Sequence, residues 1–171
     1  LSILSKESIL KNWSLEKNKK EASELKLVPQ VVSNILSKDV SSFSFSADET
    51  MVMYTASNAA TLKTDLIPQL PGSSTQKESR DIKVGKTYIY DIKEDKNFEV
   101  LDTGRSLYWL PDSRHLLLPD EGKIVVMDYD GTNRQTVFSG EYIAPHAYPF
   151  VNASKLLILT NLGSPSSTPN L

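Results

Sequence analysis

The chain has 171 residues and no cysteine. That absence excludes disulfides, thiolate metal sites and a cysteine nucleophile. Histidine is nearly as scarce: His115 and His146 are the only two, and they do not stand at the i, i+4 spacing that places two ligands on one helix face. No G-x-S-x-G segment occurs, so the elbow of a serine hydrolase cannot be assembled either. No apolar run approaches the roughly 18 residues of a membrane helix; the longest, around Leu156 to Leu159, is strand-sized. The start carries no secretory pattern. Charge of one sign is also missing, since the net charge is −2. The densest basic run, Lys17, Asn18, Lys19 and Lys20, is flanked by Glu16 and Glu21, as expected of a solvated turn. A nucleic-acid partner needs a basic stripe, and none is present. The expectation is therefore a protein with no catalytic residue, no metal and no cofactor.

What is present is repetition. W-L-P-D-S-R-H-L-L-L from Trp109, F-S-A-D-E-T-M-V-M-Y from Phe45 and F-V-N-A-S-K-L-L-I-L from Phe150 stack without a gap. In each line an aromatic closes one strand, a polar turn follows and an apolar run resumes, which reads as a hairpin. The second half of the unit recurs too: KTYIYDIKEDKNFEVL from Lys86 lies beside KIVVMDYDGTNRQTVF from Lys123, with Asp91 on Asp128. A fainter third copy, ILKNWSLEKNKKEASEL from Ile9, puts Trp13 with Tyr90 and Met127. The spacing from Trp109 to Phe150 falls inside the roughly 40 to 45 residues of a four-stranded propeller blade. From Phe45 to Trp109 the spacing is longer by an insertion.

That insertion, near residues 58–84, loses alternation and gathers Pro68, Pro71, Gly72 and paired serines. Such a composition predicts a long disordered loop between the two hairpins of one unit. The expected organisation is 1–39 as a half-blade or helix with a connecting segment, 40–104 as a blade carrying the insertion, 105–140 as a second blade, and 141–171 as a half-blade and tail. Strands are predicted at Ile9 to Leu15 and Ala22 to Val28 in the first part, with helix as the alternative because Glu, Lys, Ala and Leu favour it. Pro29 at a first helical position, followed by Val31, Val32, Ile35 and Leu36, predicts a short helix.

The motifs W-L-P-D-S-R (Trp109, Pro111, Asp112) and I-V-V-M-D-Y-D-G-T-N (Asp128, Asp130, Gly131, Asn133) resemble the TolB-like β-propeller repeat, a relative of the WD repeat. Phe45 to Thr50 is similar, with Ala47 for the proline and Glu49 for the glycine, whereas Phe150 to Lys155 lacks both Pro and Asp. The resemblance covers roughly Ser41 to Thr160 and extends to propeller segments of bacterial PEGA-domain envelope proteins. It implies an all-β fold of antiparallel four-stranded blades, about two plus flanking half-blades, as a fragment of a larger propeller. It also implies a place in the cell envelope, with any anchor outside these residues, or otherwise the cytoplasm. The motif residues have folding roles of their own: Pro111 presets φ, Asp112 accepts backbone N–H bonds, and Gly131 supplies φ > 0. Counted from Asp128 as a calcium loop, the glycine falls two places early and the closing carboxylate is absent.

The candidate partner-binding residues are Tyr142, His146, Tyr148 and Phe150, in a stretch rich in aromatics and proline of the kind enriched at interface hot spots. Packing between blades is the competing role for the same side chains. Two functions follow from the resemblance: a non-catalytic binding or scaffold module for a protein or surface ligand, or the accessory propeller of a serine hydrolase whose catalytic domain lies elsewhere. A fragment of two blades cannot close a ring, so its sheet edges are expected to pair with another copy or with the rest of its own chain.

Overall fold

The structure, a computed structural model, describes residues 3–68, 76–102, 104–150 and 153–161. It is mostly β, with antiparallel sheets and two helices at the start. The apolar runs found by alternation become the middle strands of two four-stranded sheets. In the first sheet, β1 (Val40–Phe45), β2 (Met51–Ala56), β5 (Thr87–Asp91) and β6 (Lys96–Leu101) lie side by side in that order. In the second, β7 (Tyr108–Trp109), β8 (His115–Asp120), β9 (Lys123–Asp128) and β10 (Gln135–Ser139) do the same. A two-stranded sheet follows, β11 (Ala147–Pro149) with β12 (Leu156–Ile158).

Period-2 alternation sends successive side chains of each middle strand to opposite faces, and both faces are buried. Val52, Tyr54, Tyr88 and Tyr90 face one way from the first sheet, while Met51, Ile89, Phe98 and Val100 face the other and meet Leu116, Leu118, Val125 and Met127 of the second. Leu117 and Ile124, on the far side of the second sheet, pack with Ala147, Leu156 and Ile158. The three sheets therefore stack face to face in chain order. At the first junction Gly131, with φ 83°, passes so close to β6 that an added Cβ would sit 3.3 Å from the Cα of Val100. Arg134 donates from Nη2 to the Val100 carbonyl at 2.8 Å beside it.

The outer face of the first sheet is closed by α2 (Gln30–Lys38), which turns Val32, Ile35 and Leu36 inward, and by a hairpin of β3 (Ala60–Thr61) and β4 (Asp81–Ile82). Pro29 caps α2 from just outside, its carbonyl accepting the Ser33 N–H at 2.9 Å. Two expectations are corrected here. The strands predicted over Ile9 to Leu15 and Ala22 to Val28 are instead α1 (Ile3–Glu24) and the turn after it. Its described side chains before Glu21 are exposed, Trp13 at 68 %, so no sheet neighbour offers ladder partners. Helix propensity and the pairs Lys17–Glu21, Lys19–Glu16 and Lys20–Glu24 then decide the local structure. The two helices at the start are thus the departure from the expected all-β fold, and the rest is antiparallel sheet.

The second correction concerns the insertion. Residues 60–61 and 81–82 pair as strands, and Leu62 and Ile82 are buried against the first sheet; residues 69–75 lie outside the described ones. The hairpin is riveted by a polar network that hydrophobic periodicity does not show. Arg80 donates to Asp95 Oδ1 and to the Lys63 carbonyl, each at 3.0 Å, and also to the Asp95 carbonyl. Tyr90 donates to Asp95 Oδ1 at 2.8 Å, and the Leu66 N–H to Asp95 Oδ2 at 2.7 Å. Next to it, Tyr54 donates to Asn97 Oδ1 at 2.8 Å, while Asn97 Nδ2 donates to the Ser79 carbonyl at 2.7 Å. Burial pushes the phenols of Tyr54 and Tyr90 up, so both serve as neutral donors. Among the described residues no buried side-chain N or O atom lacks a hydrogen-bond partner.

Candidate functional site

The first strands β1, β7 and β11 run along one side of the stack, and the turns that end them share one geometry. Ser46, Leu110 and Phe150 each donate their N–H to the carbonyl five residues on, at 2.9, 2.9 and 3.0 Å. Each turn then places a residue in the left-handed region: Glu49 at φ 59°, Ser113 at 63° and Ala153 at 58°. In the first two turns an aspartate organises the loop. Asp48 accepts from Ser46 Oγ, the Thr50 N–H and Thr50 Oγ1, and Asp112 accepts the N–H groups of Arg114 at 3.0 Å and His115 at 3.1 Å. Desolvation acts to raise both carboxyls, but these hydrogen bonds outweigh it and hold each below the usual carboxylate range. The third line differs from the gapless stacking by one residue: Pro149, not Phe150, occupies the place of Phe45 and Trp109. Phe150 thereby takes the place of Ser46 and Leu110, which are buried, and is itself 44 % exposed.

Adjacent first strands are tied together. Trp109 donates from Nε1 to the Ser44 carbonyl at 3.1 Å, and the Asp48 N–H donates to Ser113 Oγ at 2.9 Å. The rings of Tyr108 and Tyr148 lie 5.3 Å apart at a tilt of 57°. Beside this seam opens a cleft of about 380 Å³ lined by Phe43, Leu107 and Tyr108 together with Ser42, Thr55 and Thr87. Arg105 stands at its edge, paired with Asp120 at 3.2 Å. A lining that mixes aromatic and aliphatic side chains with hydroxyls and one guanidinium suits the binding of a polar ligand or an extended chain.

The residues singled out in the sequence separate into two groups. Tyr148 and Phe150 are exposed at the third first-strand, and His146 joins them through Nδ1 to Tyr148 Oη at 3.1 Å. Tyr142 is apart: its ring packs edge-on against Phe138 and its hydroxyl donates to the Asp120 carbonyl at 2.6 Å, which anchors the segment before β11. Among the motif residues, Asp130 caps its turn by accepting the Thr132 N–H at 3.0 Å, and Asn133 donates to Asp128 Oδ2 at 2.6 Å. Pro111 stands in the turn after β7, beside Asp112. His115 is held between Asp112 (Nδ1 to Oδ2, 2.5 Å) and Asp128 (Nε2 to Oδ1, 3.4 Å), directly opposite Asp128 in the ladder. Asp91 stands at the same register position in the first sheet, opposite Met51, and caps its turn through the N–H groups of Lys93 and Glu94.

Sequence reasoning missed Phe43, Arg105 and Tyr108 as cleft residues. The alternation S-F-S-F and the pair Tyr108-Trp109 were the available signals, but neither tells which face of a first strand is left open. Among the described residues no group of three or more His, Asp or Glu side chains is placed to hold a metal ion, and no helix is long and apolar enough to cross a membrane. No family model, curated protein or solved structure matches the chain.

Proposed function

We propose that this chain is part of a β-propeller of TolB-like, WD-repeat-like units that serves as a non-catalytic binding or scaffold module in a bacterial envelope-associated protein. The observation that carries the reading is the equivalence of the two four-stranded sheets. Both run β-strand to β-strand in chain order, both place an aspartate at the end of the third strand opposite the first residue of the second, and they stack face to face. Successive blades of a propeller have this arrangement. Ligands of such a stack meet the seam of first strands, where Phe43, Tyr108, Tyr148 and the cleft beside Arg105 are gathered. Aromatic side chains with one arginine are the composition of interface hot spots, which favours a protein or surface ligand over a reaction at this seam.

A photo-crosslinking amino acid placed at Phe43 or Tyr148 in the producing cell, with Val84 as an exposed control, tests this reading. Covalent partners at the two seam positions and none at Val84 are the expected outcome. Equal labelling at all three positions, or none at the seam, would remove the basis for a binding face there.

A further inference from the structure

The two junctions between stacked sheets correspond position by position, because ladder register fixes the counterparts. Met53 lies opposite Ser44 as Leu117 lies opposite Tyr108, and Thr87 lies opposite Thr55 as Ile124 lies opposite Pro119. Leu107 stands two residues before Trp109 as Ala147 stands two before Pro149. Leu117, Ile124 and Ala147 form the buried cluster of the second junction, with Tyr108 and Tyr142 packed against it. Their counterparts Met53, Thr87 and Leu107 all line the cleft of the first junction. There Ser44 takes the place of Tyr108. Tyr142, five residues before Ala147, is replaced by Asp102, five before Leu107. Asp102 pairs with Lys86, and its side chain is 71 % exposed. Two phenol rings that close one junction are thus missing from the other. The residues that line the cleft all belong to the two four-stranded sheets and the segment joining them.

We infer that this cleft receives a tyrosine side chain of a partner polypeptide, which supplies from outside the ring that Tyr142 supplies from within at the second junction. The inference rests on the reading of the seam as a binding face. Met53 and Leu107 offer the ring an apolar bed. Beside them the Thr55 and Thr87 hydroxyls stand 3.0 Å apart and share one hydrogen bond, so one O–H of the pair is left to donate. Ser42 and Ser44, both exposed, add hydroxyl oxygens able to accept the phenol's own proton. A phenol taken out of water needs such a partner, as Tyr142 shows by donating to the Asp120 carbonyl. Arg105 at the edge carries a guanidinium that can stack on an aromatic face. Its charge is already matched by Asp120, so the cleft favours an uncharged side chain over a free carboxylate.

The probe is N-acetyltyrosinamide, which carries the side chain between two uncharged peptide groups, added to the full chain while methyl resonances are followed. Shifts are expected at Met53, Thr55, Thr87 and Leu107 and not at Val32 or Ile35, with a Kd on the order of 1 mM. N-acetylphenylalaninamide, which lacks only the hydroxyl, should bind about threefold to tenfold more weakly. Ser44→Tyr installs the counterpart of Tyr108 and Asp102→Tyr that of Tyr142. Each should close the cleft and abolish the shifts, with the Val32 and Ile35 signals unmoved as proof of folding. Equal binding of the two amides, no shift at about tenfold higher concentration, binding retained in both variants, or shifts with methyl glucoside in place of the amide would overturn the inference. Photo-crosslinking at Phe43 and Tyr148 reports on the binding face separately. Crosslinks without amide binding would overturn the tyrosine assignment and keep the face, whereas loss of both would remove the face as well.

Discussion

The two four-stranded sheets share strand order, register and turn geometry, yet they are covered differently, and the difference comes from what the chain inserts between the second and third strands. In the second sheet β8 passes to β9 through a tight turn at Gly122, and among the described residues the face beyond is met by β11, β12 and Tyr142. In the first sheet the corresponding connection leaves the ladder after β2, forms the β3–β4 hairpin and returns as β5. That excursion carries Leu62, Ile82 and Arg80 onto the sheet, where they and α2 seal its outer face. A common strand pattern thus specifies the meander, while the connection specifies whether its face is an end or a junction.

The sharpest way to break the comparison uses the two residues that precede a fourth strand in the left-handed region, Asp95 at φ 51° and Asn133 at φ 51°. Glycine tolerates that backbone at both, so Asp95→Gly and Asn133→Gly remove side chains without adding strain. Asp95 is 3 % exposed and accepts from Arg80, the Tyr90 hydroxyl and the Leu66 N–H, so Asp95→Gly should cost about 3 kcal/mol by removing one of the two carboxylates paired with Arg80 and stranding the other two donors. Asn133→Gly removes one exposed bond to Asp128 and should cost below about 1 kcal/mol. Denaturant midpoints measure both. Equal losses would mean that the first sheet's network does not hold its cover in place.

A smaller effect separates the two halves of that network. Tyr54→Phe leaves the buried Asn97 short of one donor and should cost about 1 to 2 kcal/mol, seen as a lower unfolding midpoint. Trp109→Phe removes the indole bond that ties β7 to β1 while keeping an aromatic in place, and should cost about 1 kcal/mol. If Trp109→Phe proved the more costly, the seam and not the insertion would be the stronger fastening.

Acid titration sharpens the comparison in the opposite direction, because the first two turns should behave alike. Asp48 and Asp112 are both held below the usual carboxylate range in the folded chain, so the stability each contributes is present above the unfolded carboxylate pKa, near about 3.9, and is lost as pH falls through the folded value. Asp48→Asn and Asp112→Asn should each flatten the acid limb of the stability curve, with little change in its slope near neutrality. Asp91 has the reverse sign. Burial raises its carboxyl despite the N–H bonds of Glu94 and Lys93, so its contribution is full below the unfolded pKa and declines as pH rises through the folded one. Compared with Asp91→Asn, the unaltered chain should lose stability over that window. Equilibrium unfolding across the acidic range would reveal either sign.

The elements legible in the sequence are those whose residues carry their own signal. T-Y-I-Y-D and H-L-L-L, buried on both faces, read as continuous apolar strands, and D-Y-D-G-T-N announces its turn through Gly131 and the capping aspartates. Elements that depend on distant partners were not legible. β3 and β4 have two residues each, too few for any period, and their place is set by Arg80 reaching Asp95 across the chain. In α1 the apolar residues make no stripe that any sheet receives, so propensity settles a segment for which repetition predicts two strands. At Phe150 the repeat is legible but one residue out of register, because the turn lacks the aspartate that organises the other two copies. In the seam, Tyr148 and Phe150 were found from their aromatic character, whereas Phe43 and Tyr108 emerge only once β1 and β7 lie side by side.

The most direct test of stacked, equivalent sheets with one sealed end is a set of methyl and aromatic nuclear Overhauser contacts in solution. The structure predicts cross-peaks from Leu116 and Met127 to Ile89 and Phe98 at the junction, and from Ile82 and Val32 to the rings of Tyr88 and Tyr90 at the closed end. Junction contacts without those of the closed end would leave the first sheet's outer face open, and absence of the junction contacts would contradict the stack itself.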